Sequence, residues 1–484
     1  MTTDMLPEPG AGFTSGGSLG TRAPDALLAG LADAATRDGH LAGLSDDELI
    51  DVMGAWRRLQ AWSSSGLMAA VAELTRRRPA DGTPPAAPGQ FPAQISEFAV
   101  DEVAAALTLT ARAADTLSAV ALDLETRLPV TARALHEGLI DDPQARLIAD
   151  MTRSLSDADA ARVEALIFPA AAGQTTGQLR VALGRAVIAV DPEAAARRRE
   201  EALKDPRVRR WREDAGTAAL AGFGLPPADV LAADQRLTDR ARALRNAGLP
   251  GTLEELRARA YLDTLLDRES IPAPPSSPGP PARRPDPSPS IASRVNLTVP
   301  LDTGTGHGNA PGLASGFGPV DGPLARDLLA AAAAHPASRF CLTITAPDGQ
   351  AIGHGCLPGP GAWPKLITQG LKVPITPLAR GGCDHRHQEP GYQPSRKLQH
   401  LIQARNRTCS APGCQRPAAR CDLDHTIPYD RGGRTCECDL APLCRHHHRC
   451  KQSEGWRLDQ PQPGVLIWTT PAGRQYRTAP DAYP

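Results

Sequence analysis

The chain has 484 residues, with 53 basic and 54 acidic side chains and a formal net charge of -1. A chain of this length exceeds what one hydrophobic core usually covers, so we expect two or three domains. The near-neutral charge excludes a general affinity for polyanions, and no apolar run approaches the roughly 18 residues of a membrane span. We therefore expect a cytoplasmic protein with no membrane partner.

The first half of the chain is predicted to be a disordered leader followed by a helical domain. Residues 1–23 contain acidic residues, Pro and Gly where a secretory signal would need a basic start and an apolar run. From residue 24 to 270 apolar residues recur at helical spacing. The run from Val103 to Leu124 is one such stripe, which we predict to be a single helix ended by Pro129. No catalytic set is recognisable there, so we interpret this helical domain of unknown function as a scaffold or interaction surface.

The sequence pattern changes after residue 270. Residues 271–290 are so rich in Pro and Ser that they cannot form a core, and we interpret them as a linker. Residues 291–380 alternate apolar and polar side chains around one helix, which predicts a small α/β module with a hairpin turning at Asp348–Gly349. The predicted fold class is therefore multidomain and mainly α, with a further C-terminal module at residues 395–484.

The C-terminal module is more basic than the rest of the chain. Residues 394–457 contain twelve Lys or Arg and six Asp or Glu. Such an excess is typical of a surface that binds a phosphate backbone, although a solvated helix face has the same composition. The module is predicted to end in a β-hairpin turning at Pro471–Gly473. We expect Trp456, Trp468 and Tyr476 to pack in its core rather than to stack on bases.

Seven of the ten cysteines lie between Cys409 and Cys450, and such a cluster in a reducing cytosol is typical of metal binding. "CSAPGC" places Cys409 and Cys414 on a tight knuckle, and Cys444 precedes His447 by one helical turn. Thiolate and imidazole ligands in two such pairs suit tetrahedral Zn²⁺, so we predict a structural zinc site. The alternative is a set of free cytosolic thiols, and surplus cysteines leave the choice of ligands open. The surplus cysteines are Cys421, Cys436, Cys438 and Cys450.

A second candidate site begins at "DLDH". Asp424 and His425 are adjacent, so their side chains point to opposite faces of a strand unless the strand ends there and bends. If it bends, the carboxylate can hold a hard cation while the imidazole addresses a water molecule beside it. A second strand after the "DRGG" turn and a helix carrying His448 would close the site. The pattern predicts a ββα arrangement around one divalent ion.

The segments "CSAPGC", "DLDHTIPYDRGG" and "CDLAPLCRHHHRCK", within residues 405–451, resemble the HNH endonuclease motif. This motif is the ββα-metal finger of homing endonucleases, bacterial toxins and restriction enzymes. The whole chain is also similar to a family of actinobacterial proteins with a long N-terminal helical domain of unknown function and a C-terminal HNH module. Segments such as "LPVTARALHEGLIDDPQARLIA" and "WTTPAGRQYRT" carry that second resemblance.

The HNH resemblance implies a role for each residue of the motif. His425 would be the general base that takes a proton from the attacking water, a task that suits an imidazole at neutral pH. Asp424 and His448 would hold the catalytic divalent ion, Mg²⁺ or Mn²⁺ or a similar metal, which stabilises charge on the scissile phosphate. The basic side chains expected to contact DNA are Arg405, Arg407, Arg445, Arg449 and Lys451.

Asp439 stands at the middle position of the motif, where the family has Asn. An amide both donates and accepts, whereas an ionised carboxylate only accepts. If the residue braces the loop by donation, we expect weakened activity; if it lies near the metal, its charge would tighten metal binding. The triple histidine also allows two registers. We assign His447 to zinc and His448 to the catalytic ion, and a shift by one would exchange these roles or expose His446.

We therefore expect a DNA endonuclease that hydrolyses phosphodiester bonds with one divalent metal ion and a His general base. Two alternatives stay open. One is a non-catalytic, zinc-containing DNA-binding protein. The other is a helical interaction or regulatory platform that a degenerate HNH module tethers to DNA. A homodimer is one arrangement that would let an enzyme with a single active site cut both strands.

Overall fold

The computed structural model describes most of the chain in nine stretches. They are residues 12–13, 17–37, 39–87, 89–268, 297–314, 318–333, 338–357, 362–370 and 372–483. The predicted linker at residues 271–290 lies outside them. No helix in these stretches has both the length and the apolar character needed to cross a membrane.

The described chain is mainly helical with small antiparallel sheets, in agreement with the predicted class. Its α-helices are α1 (Ala26–Thr36), α2 (Asp46–Arg76), α3 (Ala99–Leu107), α4 (Ala111–Thr126), α5 (Pro129–His136), α6 (Asp142–Thr152), α7 (Asp157–Ala171), α8 (Thr176–Val190), α9 (Ala194–Leu203), α10 (Pro227–Asn246), α11 (Leu253–Leu265), α12 (Leu301–Thr305), α13 (Gly322–Ala333), α14 (Ala362–Gln369), α15 (Arg396–Arg405) and α16 (Arg445–Cys450). Its strands are β1 (Arg207–Arg212), β2 (Ala218–Phe223), β3 (Leu297–Thr298), β4 (Gly312–Ala314), β5 (Gly318–Val320), β6 (Cys341–Thr345), β7 (Ala351–Cys356), β8 (Thr376–Pro377), β9 (Asp422–His425), β10 (Leu440–Leu443), β11 (Arg457–Gln462), β12 (Val465–Thr469) and β13 (Gln475–Thr478).

Contacts divide the chain into two compact units. The first takes in residues 1–197, 342–355 and 374–483, and the second takes in residues 198–341, 356–373 and 484. The limits of these units differ from those of the predicted domains. The N-terminal helices and the C-terminal region, which the sequence suggests are separate modules, belong to the same unit.

The helical part of the first unit packs around a core formed by α2 to α8. Leu117 and Leu124 of α4, Leu135 of α5 and Ile148 of α6 are among its buried side chains. Each comes from an apolar stripe at helical spacing, so burial of these stripes follows the sequence pattern. A smaller cluster packs α1 against α2.

Two details of this part differ from the prediction. Phe13 and Leu19, in the segment expected to be a disordered leader, are buried against α1 and α2, because even a Gly-rich segment can bury isolated large apolar side chains. The single helix expected from Val103 to Leu124 is two helices, α3 and α4. Thr108 adopts a left-handed conformation with φ 55°, and Thr110 caps α4 by accepting from the Ala113 backbone N–H.

The C-terminal part of the first unit contains a two-stranded and a three-stranded sheet. Strands β9 and β10 pair with each other, and β11, β12 and β13 form an antiparallel meander whose last turn includes Gly473. Trp456 and Trp468 are buried in one cluster with Cys409 and Cys444, as expected for core aromatics. The Trp468 indole N–H also donates to the backbone oxygen of Ser410.

The second unit combines a hairpin, a helix pair and a small sheet. Strands β1 and β2 pair from Arg207 opposite Phe223 to Arg212 opposite Ala218. Helices α10 and α11 pack through Leu244, Leu256 and neighbouring alanines. Strands β3, β4 and β5 form a sheet whose apolar cluster includes Ala325 of α13.

Candidate active site and metal centre

Residues 422–450 form two antiparallel strands followed by a short helix. In the β9–β10 ladder His425 lies opposite Leu440, and Asp424 lies opposite Ala441. Helix α16 begins directly after β10 and packs against both strands. The strand-strand-helix order predicted from the sequence is therefore present, and it brings both ends of the motif to one place.

The loop between β9 and β10 requires glycine at two successive positions. Gly432 has φ 92°, a left-handed conformation that glycine adopts without strain. At Gly433 a Cβ atom would lie only 1.9 Å from the backbone oxygen of Ile427. The "DRGG" turn of the sequence is thus fixed by backbone conformation at one glycine and by close packing at the next.

Asp424 and His448 lie side by side between β9 and α16. The Asp424 Oδ1 atom is 3.2 Å from His448 Nε2, and Asp424 Oδ2 is 2.5 Å from Lys451 Nζ. Burial opposes ionisation of Asp424, but the hydrogen bond with His448 and the charge of Lys451 outweigh it and hold the pKa of this carboxyl below its usual value. A carboxylate and an imidazole therefore converge at the position where the sequence predicts an ion.

Asp422 fixes the orientation of the His448 ring. His448 Nδ1 lies 2.9 Å from Asp422 Oδ2, on the side of the ring opposite Asp424. When Nδ1 donates its proton to Asp422, Nε2 is the nitrogen that can bind a cation, as in the carboxylate-histidine pairs of many metal sites. The sequence prediction missed Asp422, although its position two residues before Asp424 places both side chains on the same strand face.

His425, the next residue of β9, contacts the loop before β10. His425 Nε2 lies 2.9 Å from Thr435 Oγ1, and the Thr435 hydroxyl donates to the backbone oxygen of Gly391 at 2.6 Å. Because the hydroxyl has one proton, which it gives to Gly391, it must accept from His425 Nε2–H. The lone pair of His425 is then on Nδ1, which has no hydrogen-bond partner among the described residues.

The environment of His425 also keeps the ring neutral. Burial lowers the pKa of His425 below its usual value, while Asp439 and Asp424 raise it in part. The Tyr392 ring stacks on the imidazole with centroids 5.3 Å apart, and Tyr429 meets it edge-on at 5.4 Å. Tyr392 is 59% exposed, so this aromatic group lies at the surface beside the imidazole. The sequence prediction missed Tyr392, which lies 33 residues before His425.

Asp439 braces the loop by accepting hydrogen bonds. Its Oδ1 accepts from the Ile427 backbone N–H and its Oδ2 accepts from the Arg434 backbone N–H, both at 2.7 Å. The side chain is 5% exposed, and these two bonds tie the two ends of the glycine loop together. Two acceptor atoms are needed here, and a carboxylate supplies both, whereas an amide supplies one. Neither role weighed for this position, bracing by donation or metal binding, matches these contacts.

The predicted zinc ligands lie together at the N-terminal end of α16. The sulfur atoms of Cys409, Cys414 and Cys444 and a nitrogen of His447 all lie within 4.8 Å of one another. His447 Nδ1 is 3.1 Å from Cys444 Sγ and 3.5 Å from Cys409 Sγ. Three thiols and an imidazole in this arrangement could hold a metal ion, and they are the donor types that structural zinc sites use. Cys421 lies outside this group of four.

Asp101 of α3 holds the zinc-site histidine from the helical part of the unit. One carboxylate oxygen lies 3.2 Å from His447 Nε2, and the other lies 2.8 Å from His446 Nε2. His447 therefore directs Nδ1 toward the thiols and Nε2 toward Asp101. In His448 the two nitrogens are reversed, because Nδ1 contacts the orienting carboxylate of Asp422 and Nε2 lies beside Asp424. The His446 side chain is 40% exposed and contacts the second carboxylate oxygen of Asp101. The 345 residues between Asp101 and His446 explain why the sequence prediction missed this contact.

Asp101 belongs to a set of acidic side chains through which the helical part contacts the C-terminal part. Asp81 accepts from the Ser453 hydroxyl at 3.0 Å, and Glu97 pairs with Arg449. Glu102 accepts from the Thr470 hydroxyl at 3.0 Å and is itself paired with Arg78. The helical part therefore supplies a side chain, Asp101, that contacts one of the predicted zinc ligands directly.

We expect the Asp101→Asn variant to bind zinc 10- to 100-fold more weakly than the parent, because partners that orient metal-ligating histidines have effects on the order of that size. Competition with a chromophoric zinc chelator measures the affinity. Asp115→Asn, an exposed carboxylate on α4, is the matched control and should leave it unchanged. Equal affinities in Asp101→Asn and the parent would contradict this role.

The five basic residues predicted to contact DNA have different environments. Arg405 is 4% exposed and donates to the backbone oxygens of Glu437 and Leu440, so its prediction as a DNA contact is wrong. It lies in register with Leu398, Leu401 and Ile402, on the inward face of α15. This i, i+3, i+4, i+7 spacing was the sequence signal for its burial.

The other four predicted DNA contacts range from enclosed to exposed. Arg407 donates to the backbone oxygen of Ala482, with its guanidinium over the Tyr483 ring. Lys451 is held by Asp424 and by the backbone oxygen of His425, at 2.6 Å. Arg449 is half-exposed and paired with Glu97, whereas the Arg445 side chain is 76% exposed. Arg445 is therefore the most accessible of the five.

Comparison with known families gives a match for the helical part of the chain. The model of a family described as "Domain of unknown function (DUF222)" matches residues 67–355. The chain belongs to this DUF222 family. The match includes Asp101 and ends before Cys409, so the zinc ligands and the ββα segment lie outside it.

Similar full-length proteins are found in Mycobacterium tuberculosis. Uncharacterized protein Rv3776 of strain ATCC 25618 / H37Rv is 31% identical over 478 residues, which cover 91% of this chain and 79% of that protein. Uncharacterized protein Rv2100 of the same strain and Uncharacterized protein MT2160 of strain CDC 1551 / Oshkosh are each 31% identical over 470 residues, with the same coverage. No solved structure matches the chain significantly. The similarity to these relatives therefore covers more of the chain than the family model does.

Proposed function

We propose that this DUF222 protein is a metal-dependent DNA endonuclease of the HNH type. The observation that carries the proposal is the convergence of Asp424 and His448 beside a histidine, His425, whose Nδ1 lone pair is available. The proposal combines this geometry with the motif resemblance of residues 405–451. The substrate would be a phosphodiester bond of DNA, and water would be the nucleophile.

The residues present fit a divalent ion such as Mg²⁺ or Mn²⁺. Two ligands in neighbouring positions of an octahedral site, each about 2.1 Å from the ion, lie about 3 Å apart. The separation of 3.2 Å between Asp424 Oδ1 and His448 Nε2 is close to that value. A bound ion would supply charge stabilisation at the scissile phosphate. Asp422 would keep His448 Nε2 turned toward it.

His425 would act as the general base. With Nε2–H committed to Thr435, its Nδ1 can take the proton of an attacking water. The bond from Thr435 to Gly391 fixes the hydroxyl, and so it fixes the tautomer of the imidazole. Because burial lowers its pKa, the ring is neutral and ready to accept a proton. Lys451 adds a positive charge beside Asp424 that favours a nearby phosphate.

The surface around this site carries exposed basic residues that could hold a DNA backbone. Arg431 and Arg434 lie on the glycine loop, and Arg445 lies at the start of α16. Phosphate contacts of this kind position DNA without reading its sequence. These residues replace the buried Arg405 in the proposed interface. Exposed Tyr392 and Tyr429 offer aromatic faces on which bases can stack.

A plasmid-nicking assay tests the proposal. Purified full-length protein is incubated with supercoiled plasmid and Mg²⁺ or Mn²⁺, with chelator as the blank. We expect nicking that His425→Ala reduces by about 100- to 10,000-fold, the usual contribution of a general base. His136→Ala, an exposed histidine on α5, is the matched control and should nick like the parent.

The same assay separates this proposal from its main alternative, a zinc-containing protein that binds DNA without cleaving it. Gel-shift measurements on the same samples report binding separately from cleavage. Equal DNA binding by the parent and His425→Ala, with no nicking by either at any metal concentration, would rule out the nuclease and favour the alternative.

A further inference from the structure

A second group of metal-binding side chains lies beside the loop that holds His425. Cys383, His385, Cys436 and Cys438 each bring one sulfur or nitrogen atom to a common point, all within 4.8 Å of one another. None of these three cysteines had a role in the sequence interpretation. None of the four belongs to the predicted zinc site or to the Asp424–His448 pair.

The distances match those of ligands that share one tetrahedral zinc ion. Cys383 Sγ and Cys436 Sγ are 3.6 Å apart, and His385 Nδ1 is 3.6 Å from Cys436 Sγ and 3.5 Å from Cys438 Sγ. With Zn–S near 2.3 Å and Zn–N near 2.0–2.1 Å, tetrahedral geometry separates two sulfurs by about 3.8 Å and sulfur from nitrogen by about 3.5 Å. A disulfide would need a sulfur separation of about 2.05 Å.

Contacts on both sides of the group hold the two ligand-bearing segments together. The Glu437 carboxylate, between the two cysteines of the loop, lies 2.6 Å from His387 Nδ1 and accepts from the Ala379 backbone N–H. Further along, the Glu389 backbone N–H donates to the backbone oxygen of Thr435 at 2.9 Å. The protein scaffold therefore holds the four ligand atoms close together. His385 has φ 58°, a left-handed conformation that costs a non-glycine residue some backbone strain.

The charge environment suits three thiolates around a cation. Arg405 is buried next to this group. Burial lowers the pKa of its guanidinium, and the neighbouring Cys383, Cys436 and Cys438 raise that pKa in part. Three thiolates and one Zn²⁺ carry a net charge of about -1, because each thiolate carries one negative charge. A buried guanidinium at this position compensates that charge, which gives Arg405 a physical reason to be inside the protein.

We propose that Cys383, His385, Cys436 and Cys438 bind a second structural Zn²⁺ ion. This ion ties residues 383–392 to the loop at residues 434–438, and it does not depend on nuclease activity. Gly391 and Tyr392 lie on the first segment and Thr435 lies on the second. The ion therefore holds together the two pieces of backbone that contact the His425 ring from either side.

Zinc content of the full-length protein tests the proposal. Metal is measured by mass spectrometry after gel filtration in a mild chelator. We expect Cys383→Ser/His385→Ala to hold one zinc ion per chain fewer than the parent. Asp384→Asn/Arg386→Gln changes an exposed ion pair within the same segment and should hold as much zinc as the parent. Equal zinc content in the parent and the ligand variant overturns the proposal.

A conservative variant makes the test independent of whether the double variant folds. His385→Cys keeps four ligands, so we expect it to retain the zinc content of the parent. After exchange of zinc for Co²⁺, its thiolate-to-cobalt charge-transfer absorption should exceed that of the parent, because one site gains a thiolate. An unchanged cobalt spectrum in His385→Cys would overturn the assignment of His385 as a ligand.

Discussion

The Cys444→Ser variant is expected to lose the cooperative fold of residues 409–468. Cys444 is one of the four predicted zinc ligands, and the residue is 4% exposed in the cluster that contains Trp456 and Trp468. Structural zinc is worth about 10–16 kcal/mol in zinc-finger peptides, whereas whole domains are stable by only about 5–15 kcal/mol. Loss of this binding energy is therefore comparable with the whole stability of a domain.

Hydrogen exchange of peptides covering β10 and β12 measures this loss of structure. We expect protection of these strands to fall to the unfolded level in Cys444→Ser, with α4 to α8 unaffected. Cys421→Ser is the matched control. The Cys421 thiol contacts the backbone oxygen of Pro417, a bond that a hydroxyl also makes, so protection should persist. Retained protection in Cys444→Ser would show that zinc does not stabilise this region.

Asp424→Asn is expected to reduce metal-dependent nicking by about 100- to 1,000-fold, the cost of removing one electrostatic stabiliser of a transition state. The amide keeps the shape of the side chain but loses the charge that binds the ion. It also leaves the Lys451 ammonium, which is 9% exposed, without its ion pair. Binding of Mn²⁺, followed by electron paramagnetic resonance, should weaken in parallel.

Asp422→Asn is the matched comparison for Asp424→Asn, because both carboxylates lie on β9 and contact the same histidine. Asp422 contacts Nδ1 of His448, which is not the predicted ligand atom, and Arg445, so its effect should be smaller, about a 10- to 100-fold weaker Mn²⁺ affinity. Zinc content and far-UV circular dichroism of both variants should match the parent. If Asp422→Asn proved the more damaging change, the assignment of Asp424 as the metal ligand would be wrong.

Local patterns predicted those features that short-range geometry controls. The spacing of Cys409 with Cys414, and of Cys444 with His447, follows from a tight knuckle and one helical turn, and these residues do converge. The glycine turn and the terminal strands also lie where the sequence indicates them. In each case a few neighbouring residues determine the conformation.

Burial of charged residues was harder to predict, because composition alone does not give the direction of a side chain. The count of basic residues suggested that Arg405 contacts DNA, although its helical register with Leu398 and Ile402 indicated the core. Asp439 is a related case. Its identity suggested a weakened or altered site, yet two backbone N–H groups, of Ile427 and Arg434, require the two acceptors that a carboxylate provides.

The sequence by itself determined the helical class, the first set of zinc ligands and the Asp424–His425–His448 motif. Only the tertiary structure decided which groups orient those residues. Asp101 reaches His447 from α3, Tyr392 covers His425, and Cys383 with His385 joins the cysteines of the loop. Such partners lie tens to hundreds of residues apart, and no local spacing encodes their contact. Their positions follow from the packing of segments that are distant in sequence, which depends on the whole fold rather than on any one segment.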